Sequence, residues 1–313
     1  MEELNLYFKL LFSPLNNILT SAAIRNYWLF ILCGMLILFI NGIRKHQLKH
    51  DLAVFFSRNT WFSASAQIDY WVIFINPLIK ILYFAPIFAL LKSFLPWLKT
   101  SLDGQGILSW APPSYILITL LTVTLFIVDD FLRWWTHYLT HKVPLLWEFH
   151  KAHHSAEVLN FATSERFHPV DILFVGIMKT ISSISVSAVF FILWGDNLSI
   201  HQVFGANILW VIANIFGGPL RHSPVWLRFG DTIERWFISP AMHQIHHSSN
   251  PQHYDKNFGG ALAIWDRWFG TLYIPKDNEE IIYGIGEETE KFRSLKYLYL
   301  NPFIIMYKKI TSK

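Results

Sequence analysis

Two windows of the chain repeat histidine at helical spacing. The first runs from His137 to His168 and reads H-Y-L-T-H (137–141), H-K-A-H-H (150–154) and F-H-P (167–169). The second runs from His222 to His247 and reads R-H-S (221–223) and H-Q-I-H-H (243–247). Ten of the fourteen histidines fall in these windows. Histidine packs no better than Leu or Phe, so a core alone gives no reason to gather it. Residues four apart on a helix share a face, so His137 and His141 can aim both rings at one point. In each triplet, His150, His153, His154 and His243, His246, His247, offsets of three and four let two rings serve one ion and the third serve a neighbour. Imidazole suits iron, zinc, copper and nickel. Since a zinc ion takes about three or four protein ligands, ten donors point to two metal ions.

What is missing narrows the chemistry. No H-E-x-x-H motif supplies the glutamate base of a zinc hydrolase. Soluble di-iron bundles use Glu-x-x-His pairs and bridging carboxylates, whereas these motifs are nearly free of carboxylates at the ligand positions. Asp130, Glu148, Glu165, Asp171, Asp255 and Asp266 lie close in sequence, and some are expected to accept imidazole N–H groups. His46 and His50 read as solvated, His201 as buried or interfacial, and His253 as a supporting or surface residue. The one cysteine, Cys33, excludes an internal disulfide and a cysteine metal site. There is no Gly-rich dinucleotide fingerprint, no haem-attachment motif and no cysteine set for an iron–sulfur cluster, so any redox reaction needs an external electron donor.

The elements that position the histidines read as membrane helices. Of 313 residues, 53% are hydrophobic and 15% charged, against roughly 25% charged in an average soluble domain. The net charge of +4 comes without the basic stripe that a phosphate backbone needs, which excludes a nucleic-acid partner. Residues 1–25 read as an interfacial helix or arm. Apolar runs at 27–43, 70–94, 114–128, 172–194 and 198–220 are five candidate spans, the last two joined by a tight turn and either spanning or re-entrant. The loop 44–69, with Arg44, Lys45, Lys49 and Arg58, falls on the cytoplasmic side by the positive-inside rule. Segment 95–112 reads as a loop on the far side. The third span runs without a breaker into Asp130, Arg133 and His137, so its helix carries the first histidines out of the membrane. Trp134, Trp135 and Trp147 read as interfacial anchors. The expected fold is an all-α integral membrane protein, multi-pass, with four to five transmembrane or re-entrant helices and a cytoplasmic histidine-rich helical cap holding a dimetal site. Its expected parts are 1–113, membrane helices and a cytoplasmic loop; 114–275, the catalytic domain; and 276–313, a cytoplasmic tail.

The set H-x3-H, H-x2-HH, F-H-P, R-H-S and H-x2-HH, with D-K-N-F-G (255–259) and W-D-R-W-F-G-T (265–271), resembles the fatty acid hydroxylase superfamily, often called sterol desaturases. The resemblance covers roughly residues 125–275. It implies a non-haem di-iron membrane enzyme that uses O2 and two electrons to hydroxylate or desaturate a lipid. It implies that His137, His141, His150, His153, His154, His243, His246 and His247 hold two iron ions, with His168 and His222 matching two further family histidines. Asn257 and Asp266 then join Asp130 and Asp255 as supporting residues. A single histidine before the last box favours the sterol-desaturase and alkylglycerol-monooxygenase-like branch over the fatty-acid 2-hydroxylases. The expected partners are a lipid entering from the bilayer, O2, and a ferredoxin or cytochrome b5-like donor docking near Lys142 and Lys151. A membrane zinc-dependent lipid hydrolase is the alternative. Neither the lipid nor the choice between hydroxylation and desaturation is encoded by a motif.

Overall fold

The computed structural model describes residues 22–101, 104–195, 207–277 and 279–312. The arm expected at 1–25 therefore lies almost wholly outside the described residues. Those described are helical apart from loops and two isolated β-bridges. Four long helices make the scaffold: α1 (Ala22–Arg44), with α2 (Leu48–Phe55) and α3 (Arg58–Phe62) behind it, then α4 (Ala64–Ser101), α5 (Ser114–Lys142) and, after the short α6 (Pro144–His154), α7 (Pro169–Trp194). Helices α5 and α7 are long and apolar enough to cross a bilayer, at about 43 and 39 Å for a rise of 1.5 Å per residue. Within their most apolar windows only 22% and 17% of residues are buried. Their apolar surface thus faces something other than the protein, as lipid-facing helices do.

Two boundaries differ from the sequence expectation. Helix α4 does not end near Phe94 but continues through Pro77, Pro86 and Pro96 to Ser101, so the loop expected from 95 starts later. Prolines are tolerated in apolar helices whose freed carbonyls find other partners. The run expected at 198–220 contains, among the described residues, only the nine-residue α8 (Ile208–Phe216). At about 14 Å it covers less than half of a hydrocarbon core of roughly 30 Å.

Proline punctuates the entry to each histidine element. Helix α5 ends at Lys142, Val143 leaves the helical region, and Pro144 starts α6 at its first position. There the missing N–H costs nothing and φ is already helical. Pro219 opens the 3-10 turn Pro219–His222 and Pro240 opens α10 (Pro240–His246), which follows the single turn α9 (Asp231–Glu234). Ser239 caps α10 by accepting from the Met242 amide. The chain closes with α11 (Ile264–Trp268), a 3-10 stretch over Gly286–Arg293, and α12 (Leu295–Thr311). The 276–313 segment expected as a tail packs back on the scaffold: Lys309 pairs with Glu148 of α6, and Tyr299 donates its hydroxyl to Asn76 of α4.

A buried ion pair ties α4 to the segment between α6 and α7. Arg166 is bonded at 2.9 Å to Asp69, and both side chains are almost wholly enclosed. The guanidinium also donates to the carbonyls of Ala152 and Ser65 and to the Ser155 hydroxyl, and Thr163 donates to the second Asp69 oxygen. With every polar atom of both side chains bonded, the pair is tolerable inside. Removing one partner strands the other, so Asp69→Ala and Arg166→Ala should each lower stability by about 3–5 kcal/mol. Thermal unfolding in detergent checks this, and an Asp69→Ala/Arg166→Ala double variant should lose less than the sum of the two.

Candidate metal centre

Nine of the ten histidines singled out by spacing converge into two adjoining groups. His137, His141, His150, His154 and His246 form one, and His153, His222, His243 and His247 the other; within each, one ring nitrogen per residue lies within 4.8 Å of those of the rest. The partition follows helix geometry. On α6, His150 and His154 sit four apart and serve the first group, while His153 turns to the second. On α10 and its C-terminal residue, His243 and His247 sit four apart and serve the second group, while His246 crosses to the first.

The ring nitrogens facing inward have no ordinary partner. In the first group the Nε2 atoms of His137, His141, His150, His154 and His246 are all buried without a hydrogen bond. In the second group the Nε2 atoms of His222, His243 and His247 lie 3.1–3.2 Å from one another, and that of His153 lies 3.4 Å from His222. Four nitrogens at about 2.0–2.1 Å from a common tetrahedral centre would be roughly 3.3–3.4 Å apart. Imidazoles hydrogen-bonding one another could satisfy at most some of these contacts, because each neutral ring has one donor. The donor sets therefore fit metal ions, five imidazoles for one and four for the other.

The opposite nitrogens of four rings are held from behind, which fixes tautomer and orientation, whereas Nδ1 of His222, His243 and His247 is buried without a hydrogen bond. His150 Nδ1 donates to Asp171 at 2.7 Å, His137 Nδ1 to the Phe258 carbonyl at 2.9 Å, and His246 Nδ1 to the Lys256 carbonyl at 2.8 Å. His153 Nδ1 lies 3.3 Å from the Arg166 carbonyl, so the buried ion pair also steadies a ring of the second group.

Burial and neighbouring imidazoles push His153, His154, His243 and His247 well below the usual histidine range. Burial lowers His222 to about 3, with Arg221 beside it adding to the effect. Burial likewise lowers His246 to about 3, against the opposing bond to Lys256 and with help from His150. Neutral rings keep their lone pairs free for a metal.

Several sequence expectations need correction. His168 joins neither group. Its Nδ1 accepts from the Val170 amide as the N-cap of α7, and its Nε2 donates to the Tyr299 carbonyl, so both nitrogens are used. None of the four expected supporting side chains touches an imidazole. Asp266 accepts from Trp134, Thr271 and the amides of Phe258 and Gly259. Asp130 accepts from the amides of Ala261 and Leu262 and from Trp265. Asn257, at φ 56°, bridges Met242 and Tyr273, and Asp255 pairs with Lys142. These residues hold the 256–262 backbone whose carbonyls hold His137 and His246. Trp134, expected at an interface, is 0% exposed, its indole on Asp266. His253 is buried on Ser248, away from both groups. His46 and His50 are exposed, and His201 lies outside the described residues.

Both groups open on a cavity of about 440 Å³, which His137, His150, His153, His222 and His243 line together with Thr140, Phe167, Asp171, Ile172 and Val175. A second opening of about 410 Å³ reaches the first group from the other side, past His141, His154 and His246.

Comparison with known proteins agrees with this geometry. A family model described as fatty acid hydroxylase matches residues 122–271, which carry every histidine of both groups. Over those residues the chain is similar to the fatty acid hydroxylase family. Alkylglycerol monooxygenase of Homo sapiens is 29% identical over 183 residues, 58% of this chain and 36% of the human protein. Ornithine lipid hydroxylase of Rhizobium tropici is 30% identical over 165 residues, 53% of this chain and 45% of that one. Delta(7)-sterol 5(6)-desaturase erg3C of Aspergillus fumigatus is 25% identical over 194 residues, 58% of each chain. The chain thus spans only about a third to a half of the length of the first two. No solved structure matches.

The depressed histidines give a pH prediction. Since His222 and His246 titrate near 3 when folded and near 6.5 when unfolded, the unfolded state binds more protons between those values. Stability is then complete above about pH 6.5 and lost as pH falls toward 3, by up to about 1.4 kcal/mol per pH unit for each histidine. Melting of chelator-treated protein should fall steadily from neutral pH to pH ~4.5. A flat profile would contradict the buried neutral rings.

Proposed function

We propose that this protein is a membrane-bound non-haem di-iron oxygenase that hydroxylates, or desaturates, a C–H bond of a lipid with O2 and two electrons from an external donor. The observation that carries the proposal is the pair of converging imidazole groups beside one cavity, the inward nitrogens unpartnered in the first and facing only one another in the second. His137, His141, His150, His154 and His246 would hold one iron, and His153, His222, His243 and His247 the other. When bound, such a pair of irons supplies activation of O2, chemistry that side chains alone do not provide.

The chain's own residues do the positioning. Asp171 holds the His150 ring, and the Phe258 and Lys256 carbonyls hold His137 and His246, so the first donor set is oriented before any metal arrives, while in the second set only His153 is held from behind, by the Arg166 carbonyl. Ile172, Val175 and Phe167 shape an apolar wall beside the imidazoles, where a hydrocarbon segment can lie with water excluded. The zinc-dependent lipid hydrolase alternative needs a free carboxylate as base. Of the two carboxylates lining the cavity, Asp171 is bonded to His150 and Glu165 lies 4.0 Å from Lys80.

In the bilayer, α1, α4, α5 and α7 would span, with α8 re-entrant, giving the lower of the expected counts. The domain limits 1–113, 114–275 and 276–313 stand as part of the proposal. The basic residues of 44–69 support a cytoplasmic position for the metal centre. A donor docking near Lys142 and Lys151 would meet paired charges, Lys142 with Asp255 and Lys151 with Glu148 and Glu288. The same surface carries the opening past His141, His154 and His246, which Lys151, Asp255 and Glu288 also line, so a donor docking there would approach the first group.

Metal analysis of the purified protein should find about two irons per chain, and isotope-labelled O2 should appear in a lipid of cells expressing it when the product is a hydroxylipid. Zinc in place of iron, with turnover independent of O2, would select the hydrolase. His150→Ala and His243→Ala should each lower iron content, while His168→Asn, which removes no inward nitrogen, should leave it unchanged. Asp171→Asn should weaken metal affinity about 10–100-fold, read by competition with a chelator.

A further inference from the structure

Arg221 is a buried, strongly basic group that the chemistry above does not use. It sits on the 3-10 turn directly before His222, 8% exposed, and its Nε is buried without a hydrogen-bond partner. Among the described residues no carboxylate lies within ion-pair distance of it. Asp130 is near enough to be felt electrostatically, but both its oxygens are taken by Ala261, Leu262 and Trp265. The next cation is Arg133, of the same sign, stacked on Trp210 at 4.9 Å, with Asp129 shared between it and Lys179. The backbone makes room for both side chains. A Cβ at Gly217 would meet the Arg221 guanidinium at 2.6 Å, and one at Gly260 would meet the Arg133 stem at 2.6 Å.

Arg221 also stands where two cavities meet. One is the metal-side cavity, which Arg133 lines as well. The other, about 630 Å³, is walled mainly by apolar residues such as Ile37, Ile212, Phe216, Phe229 and Phe237. Its other guanidiniums differ in kind: Arg228 is paired with Glu234 and Asp231, and Arg44 is exposed. A buried charge is retained only with a counter-charge, and a guanidinium matches carboxylate and phosphate oxygens in a two-point fork. Metal ions held by neutral imidazoles would add positive charge beside it.

We propose that Arg221 anchors an oxyanion, carboxylate or phosphate, of an amphiphilic lipid whose chain lies in the apolar cavity. The head-group side of that lipid then faces the histidines, so the carbon presented to them lies near the anionic group rather than at the chain end. This rests on the oxygenase reading for the identity of the reaction, but the binding preference does not depend on it.

The experiment compares binding of 1-oleoyl lysophosphatidate and neutral 1-oleoylglycerol to the metal-loaded full chain in detergent, with inorganic phosphate as competitor. Wild type should favour the anionic lipid by about tenfold or more, a difference of about 1.4 kcal/mol. Arg221→Gln should abolish that preference and Arg221→Lys should restore part of it, with metal content unchanged in both. Equal affinity of the wild type for the two lipids, or a preference that survives Arg221→Gln, would overturn the assignment. Displacement of the anionic lipid by millimolar inorganic phosphate would overturn the lipid part of it, assigning the site to free phosphate. Failure of the oxygenase reading is seen separately, as protein that binds the anionic lipid selectively yet holds no iron.

Discussion

The structure depends on keeping the inward nitrogens of nine imidazoles, seven buried and two half-buried, pointed at two small volumes, where five have no partner and four have only one another. A buried polar atom left unpaired costs about 1–3 kcal/mol, and burial here drives the rings toward the neutral state. Protonation could relieve neither problem, since it would put like charges 3.1–3.4 Å apart. A fold that keeps such an arrangement needs an outside counterpart, and a metal cation is the counterpart that accepts several lone pairs at once. The scaffold must then resist the collapse or rotation of rings that would otherwise find new partners.

That resistance comes mainly from backbone. Asp266 takes the Phe258 and Gly259 amides, Asp130 takes those of Ala261 and Leu262, and the loop so fixed presents the Phe258 carbonyl to His137. Trp134 and Trp265 complete the arrangement by giving one indole N–H to each carboxylate. Asp130 and Trp134 are one turn apart on α5, the helix that carries His137 and His141. Helix and loop are therefore locked together at the level of the first group. On the far side, Arg166 and Asp69 do the same for the chain between α6 and α7.

How much of this was legible follows from the range of each interaction. The histidine spacing carried the shared faces and the split of each triplet between two groups, because those depend only on helix geometry within one turn. The continuation of α5 past Val128 was legible for the same reason. The role of His168 was misread although a signal was present, since a residue directly before a helix-starting proline is placed to cap. The acceptors behind the rings were largely illegible. Backbone carbonyls have no sequence identity, and Asp171 stood among six nearby carboxylates with nothing local to distinguish it. The Asp69–Arg166 pair and the exposure of Arg221 to two cavities join segments far apart in sequence, which periodicity cannot report.

The sharing of ligands has a consequence for how the centre works as a unit. Helix α6 gives His150 and His154 to one group and His153 to the other, and α10 with its C-terminal residue gives His246 to the first and His243 and His247 to the second. Any rotation of either element about its axis that improves one group must spoil the other. The two groups can only be formed together, at a separation set by adjacent residues, with His153 beside His154 and His246 beside His247. The proposed dimetal oxygenase would need both metals held at a constant spacing while their ligands stay neutral. Two short proline-started helices wedged against α5 meet that need without any bridging carboxylate among the nine donors.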